Sequence, residues 1–192
     1  FEMQSTIRTA VTLVGQGLHS GRPARLVIHP ATSGGIRFRR SDIADRDNII
    51  PARYDNVSDT TLCTVLSNEA GASVSTVEHL MAALAGTGVS HVLVDIDGPE
   101  VPIFDGSAKR FVRAILQAGL RRVEGPIVAI RLLETVRDVQ GDVVAELRPA
   151  PALSIDFEID FADAAIGHQE KALSMVNGTF VHELSDCRTF CR

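Results

Sequence analysis

A glutamate and a histidine stand side by side in the run Ser75-Thr76-Val77-Glu78-His79-Leu80. A carboxylate beside an imidazole suits a hydrolytic metal site. The imidazole binds the cation through a ring nitrogen, and the carboxylate takes a proton from water. The same residues also have a structural reading. Ser75-x-x-Glu78 fits a capping box, in which the serine hydroxyl accepts one free N–H at a helix start and Glu78 reaches back to another. His79 lies about 100° around the helix from Glu78, beside an apolar stripe where a half-buried core histidine is ordinary. The two-histidine zinc-protease spacing is not met, because Ala83 stands where the second histidine would be. Spacing alone leaves cap or base open for Glu78, and core or ligand open for His79.

Four other places hold chemistry-bearing side chains. His19 sits in the turn Gly15-Gln16-Gly17-Leu18-His19-Ser20-Gly21. Its G-x-G-x-x-x-G spacing, with no strand–turn–helix around it, is not a dinucleotide fingerprint; a hairpin turn with a surface histidine explains it equally well. Cys63 falls in the middle of the expected strand Thr61 to Leu66, where a buried inert thiol is usual. Asp105-Gly106-Ser107 reads as a helix entry with Asp105 or Ser107 as cap. Arg188-Thr189-Phe190 carries no signal of its own.

These residues need elements to hold them. Thr6 to Val14 reads as a strand running into the glycine turn. Arg25 to His29 alternates like a strand, Pro30 to Gly35 turns, and Gly35 to Arg40 is expected to pair back as a hairpin. Ser75 to Gly86 is expected as a helix, with Val77, Leu80, Met81 and Leu84 on one face and Gly86 and Gly88 ending it. His91 to Ile96 is a strand with Val92, Val94 and Ile96 on one face. A second helix follows over about Ser107 to Ala118, with Phe111 and Ile115 inward and Ala114 beside them, stopped at Gly119. Strands and helices in this alternation make an α+β layer.

The chain has 192 residues, 45% hydrophobic and 22% charged, within the range of one or two globular domains. A net charge of −5 gives no electrostatic case for nucleic acid. No run of 18 apolar residues exists to span a membrane as a helix. The three cysteines, Cys63, Cys187 and Cys191, are an odd number and lack Cys-x-x-Cys spacing, so neither a disulfide framework nor a zinc ribbon is expected; a reducing cytoplasm is.

The polar run Arg121 to Pro126 reads as a linker, after which the pattern restarts. Ala10 to Val14 lines up with Ala129 to Leu133, Ile28 to Ala31 with Leu147 to Ala150, and Ile36 and Phe38 with Ile155 and Phe157. Every pair differs by 119 positions. Three matches in one register suggest a duplicated unit. The expectation is therefore a duplicated two-layer α/β sandwich: residues 1–122 form the first copy, 123–127 the linker, and 128–192 part of the second. The second copy should hold strands over Ile127 to Val136, Val143 to Arg148 and Leu153 to Phe161, and a short helix near Asn177 to Leu184. A counterpart of the Ser75 helix would fall near position 194. The second copy thus reads as incomplete, the chain as a piece of a longer protein, and another chain or symmetry copy as the cover for the second sheet.

Taken together, four segments and a triplet resemble one family. They are G-x-G-L-H-S-G at Gly15 to Gly21, D-T-T-L-C-T at Asp59 to Thr64, S-T-V-E-H-L at Ser75 to Leu80, P-E-V-P-I-F-D-G-S-A at Pro99 to Ala108, and Arg188-Thr189-Phe190. The chain resembles, along essentially its whole length, the LpxC family of UDP-3-O-acyl-N-acetylglucosamine deacetylases of lipid A biosynthesis.

The resemblance implies two α+β sandwich domains with the active site between them, and a catalytic Zn2+ that activates water against an N-acetyl amide. It implies His79 as a zinc ligand, Glu78 as the general base and Thr189 as the hydroxyl that holds the oxyanion. Leu62, Cys63 and Phe190 would line the substrate cleft, with His19 near it. The family's remaining zinc ligands, a His and an Asp from a downstream H-K-x-x-D-x-x-G-D helix, have no match here, nor has its general-acid histidine; His168 and His182 differ in context. The expected partner is a UDP-acyl-GlcNAc glycolipid, the full-length protein is the expected deacetylase, and this chain alone is expected to be inactive or to bind zinc weakly. The alternatives are a short non-catalytic paralogue that binds a nucleotide-sugar lipid or a protein partner, and an interaction domain whose motifs are structural.

Overall fold

A computed structural model describes residues 3–127, 130–176 and 178–189. They fall into two compact units: one runs to Ile127 and resumes at Phe180, the other fills 130 to Thr179. The architecture is mixed α+β, rich in strands and short of helices.

The first unit is built on a five-stranded sheet. Its strands are β2 (Val11–Gln16), β3 (Pro23–Pro30), β4 (Ile36–Arg40), β5 (Ile49–Pro51) and β9 (Val92–Ile96), in the order β2-β3-β9-β4-β5. β9 buries Val92, Val94 and Ile96, as its alternation predicts. These meet Leu26 and Ile28 of β3, Phe38 of β4 and Ile50 of β5 in one cluster. Helices α1 (Glu78–Gly86) and α2 (Lys109–Ala118) complete that cluster with Leu80, Ala83 and Leu84, and with Phe111, Val112 and Ile115. Val77 is buried as expected, Met81 and Ala118 pack partly against the cluster, and Ala114 is half-buried.

The expected β3–β4 hairpin does not form. β9 lies between the two, antiparallel to β3 and parallel to β4. A strand apolar at alternate positions fills the gap and satisfies both ladders, which no local signal reveals. The expected strand from Thr6 to Val14 is broken as well. β1 (Met3–Ile7) leaves the sheet to pair with β10 (Leu120–Pro126), and the Arg8 N–H donates to Gly119 O at the break. The stretch 121–126, expected as a linker, is thus a strand. Its charged side chains stay solvated on a two-stranded ribbon, where charge is no obstacle to pairing.

A three-stranded sheet, β6 (Val57–Asp59), β7 (Val65–Ser67) and β8 (Ser73–Ser75), leads into α1. The expected strand Thr61 to Leu66 begins only at Val65. Asp59 Oδ1 accepts both the N–H and the hydroxyl of Thr61, at 3.0 and 2.7 Å, and this side-chain turn outcompetes the ladder. Cys63 therefore sits half-buried in a loop, not within a strand.

The second unit consists of two hairpins, β11 (Val136–Gln140) with β12 (Val143–Leu147) and β13 (Ser154–Asp160) with β14 (His168–Ser174). The expected strand Ile127 to Val136 is displaced: residues 130–135 are irregular, and β11 starts at Val136. Of the 119-residue matches, Leu147 ends β12 and Ile155 lies within β13, whereas Ile28 lies within β3 and Ile36 begins β4. Leu132 and Leu133 lie in no strand, whereas Leu13 and Val14 lie in β2. None of the unit's described residues is buried; Val143, Leu147 and Phe157 remain at least half exposed. Across the described residues, no helix is long and apolar enough to cross a membrane.

Candidate active site

The path into α1 decides where Glu78 and His79 stand. Ser75 ends β8, and its N–H and hydroxyl both donate to Pro99 O, at 2.8 and 3.1 Å. It is therefore not available as a cap, and the helix starts three residues later than expected, at Glu78. The chain turns from strand to helix through Thr76, at φ +56°. A β-branched residue in the left-handed region costs on the order of 1–3 kcal/mol, and such strain persists only where neighbours enforce it.

The capping box does not form. Glu78 is in the first turn, but its Oε2 accepts the Thr64 N–H at 3.1 Å. The carboxylate therefore ties the Asp59–Thr64 loop to the helix instead of closing the helix's own end. Leu62 projects from that loop, 81% exposed. His79 is half-buried beside Glu78.

Glu78 and His79 line a pocket of about 250 Å³ with Ala82, Ala108, Phe180, Leu184 and Cys187. The far wall is a short π-helical turn, Phe180–Leu184, in the place of the helix expected near Asn177; Asn177 lies outside the described residues. The Ser185 N–H donates to Phe180 O at 2.8 Å, the wide bond of such a turn. Phe180 lies against Gly86, where any Cβ would run into its ring. Gly86 is thus required by contact, while Gly88, at φ +78°, makes the helix stop. Elsewhere in a helix, Gly→Ala is worth up to about 1 kcal/mol of stabilisation. Here Gly86→Ala is expected to destabilise by about 1–3 kcal/mol through overpacking, read as a lower urea midpoint. A raised midpoint would show that Phe180 yields.

Thr189 does not line this pocket. It is exposed, with its N–H bonded to Gly106 O at 2.8 Å, next to the entry of α2. Asp105 Oδ1 accepts the Ser107 hydroxyl and N–H, and Ser107 Oγ accepts the Lys109 N–H. These bonds shape the entry, but the N-cap of α2 is Ala108, with no side-chain cap, so neither expected residue is the cap. Phe190 lies outside the described residues.

His19 is exposed on a loop held by a residue that the sequence reading missed. Glu100, 2% exposed, accepts the His19 N–H on Oε1 and the Ser20 N–H on Oε2, both at 2.8 Å, and the Thr76 hydroxyl on Oε1 at 3.1 Å. Gly17 lies against the carboxylate, where a Cβ would collide with it. Burial pushes the Glu100 carboxyl up. The Ser20 hydroxyl, the two amides and Thr76 outweigh that and hold it below its ordinary range. The available signal was a lone carboxylate inside the apolar run Pro99 to Phe104.

A group whose folded pKa is depressed stabilises above its unfolded value, about 4.3 for Glu, and that stability is lost as pH falls through the folded value. Urea midpoints should therefore drop between about pH 4.3 and the acid limit. Glu100→Gln should flatten that part of the slope; an unchanged slope would assign it to other carboxylates.

The description UDP-3-O-acyl N-acetylglycosamine deacetylase belongs to the LpxC family model, which matches residues 4–192. This chain belongs to the LpxC family. Among relatives named UDP-3-O-acyl-N-acetylglucosamine deacetylase, that of Phenylobacterium zucineum is 45% identical over 188 residues, covering 97% of this chain and 64% of its own length. Those of Photobacterium profundum and Vibrio parahaemolyticus are 41% and 44% identical over 190 residues, at 97% of this chain and 62% of theirs. The chain thus spans less than two thirds of these LpxC relatives.

Among the described residues, no three His, Cys, Asp or Glu side chains converge as a metal ion requires. A catalytic zinc takes three protein ligands. The described residues by themselves do not fit the ion.

Proposed function

We propose that the whole protein is a zinc-dependent amide hydrolase, removing the N-acetyl group of a UDP-3-O-acyl-N-acetylglucosamine glycolipid in the cytoplasm during lipid A biosynthesis. Membership of the LpxC family carries this reading, and the pairing of Glu78 with His79 on one pocket wall supports it. In this reading His79 is one zinc ligand and the protein's other ligands lie outside the described residues.

Glu78 takes the proton of the attacking water. Among the described residues its carboxylate accepts one hydrogen bond, from the Thr64 N–H to Oε2, and an ionised carboxylate in this position can take a proton from water. Thr189, fixed by its backbone to Gly106, offers a hydroxyl to the developing oxyanion. Leu62, Cys63, Phe190 and His19 contact the glycolipid. Two sandwich domains, related by the 119-residue register, make up the whole protein. The 192-residue chain alone, with one ligand, is inactive.

Acetate release from a synthetic UDP-3-O-acyl-GlcNAc is the test. The full-length protein with zinc should release it, and the 192-residue chain should not. Silence from the full-length protein would overturn the function; turnover by the short chain at the full-length rate would overturn the ligand assignment.

A further inference from the structure

Glu100 is a buried carboxylate that the proposed reaction does not use. Its position follows from the chain path. Ser75 and Glu100 form a parallel bridge, and the Val101 N–H donates to Ser75 O at 3.0 Å, so Glu100 is locked beside Thr76. From there its two oxygens gather donors from two separate segments: the loop of His19 and Ser20, and the residue two before Glu78. An ionised carboxylate is the side chain that can take all of them, since it is acceptor-only and has two equivalent oxygens. The Thr76 hydroxyl bond also holds the left-handed turn that sends the chain into α1.

We infer that Glu100 is a positioning residue: through Thr76 it sets where α1 begins and hence where Glu78 and His79 stand, and through His19 and Ser20 it sets the His19 loop in the same frame. The inference rests on the deacetylase reading of Glu78. A purely structural carboxylate would affect how much protein folds, not how fast a folded molecule turns over. Displacing a catalytic group lowers kcat itself.

The test uses the full-length protein with zinc and a synthetic UDP-3-O-acyl-GlcNAc, with turnover expressed per folded molecule. Glu100→Gln keeps the shape but puts an NH2 where an N–H must be accepted. Thr76→Val keeps the β-branch and removes the hydroxyl; Thr76→Ser keeps the hydroxyl. Glu100→Gln and Thr76→Val are expected to lower kcat by about 10- to 100-fold with KM little changed, and Thr76→Ser to recover most of the loss. The Glu100→Gln/Thr76→Val double variant should lose little more than the worse single one. If Glu100→Gln does not fold, the Val and Ser variants decide the question.

Parental kcat per folded molecule in Thr76→Val, or equal losses in the Val and Ser variants, would overturn the inference. Glu78→Gln separates the two readings. If it is inactive while Thr76→Val and Glu100→Gln are not, the positioning role alone fails. If Glu78→Gln itself turns over normally, the deacetylase reading fails and this inference with it.

Discussion

Glu78→Gln in the full-length protein is expected to lower turnover by about 10²- to 10⁴-fold and to leave the unfolding midpoint almost unchanged. The amide keeps the shape of the carboxylate, and its oxygen can still accept the Thr64 N–H. It cannot take a proton from water. The two effects separate because Glu78 makes no capping bond. A Ser75–Glu78 capping box would have made the residue worth about 0.5–2 kcal/mol of stability, but α1 has no side-chain cap. Steady-state acetate release and urea unfolding on the same preparations decide the matter. A fall in stability with turnover intact would return Glu78 to a structural role.

Gly17→Ala should be the most damaging single methyl group in the first unit. The added Cβ meets Glu100 and the Ser20 hydroxyl at once. Glu100 cannot swing away, because its oxygens are held from the His19 loop and from Thr76. Overpacking of this kind costs about 1–3 kcal/mol, and each charge-assisted bond broken in escaping it about 1.5–3 kcal/mol. A loss of roughly 3–5 kcal/mol is expected, measured by urea unfolding of the 192-residue chain. Gly21→Ala in the same loop is the control. Its φ of +63° strains an alanine, but no close contact stands in the way, so about 1–2 kcal/mol is expected. Equal losses would mean that the loop moves as a body and that the Glu100 contact is not tight.

Part of the fold could be read from residue order. Periodicity placed both helices and strand β9, because each packs one apolar face against the same core. The joint motifs are specific enough to point to the family, and Glu78 and His79 share a pocket. Errors came where a side chain or a distant strand competed with local propensity. Asp59 captured Thr61 and delayed β7 to Val65. Pro99 captured Ser75 and removed the cap. β9 entered between β3 and β4. The charged run at Arg121 looked like a linker because propensity scores charge, whereas pairing with β1 needs only free backbone groups and solvated side chains.

Residue order is enough for the family, the α+β alternation and the placing of Glu78 beside His79, since these depend on local periodicity and on motif order. How Glu78 is held, why Gly17 and Gly86 must lack a Cβ, and the binding of the His19 loop and Thr76 by Glu100 emerge in the folded chain alone. Each of these depends on groups tens of residues apart meeting within hydrogen-bond or van der Waals distance, and such contacts leave no periodic trace along the chain.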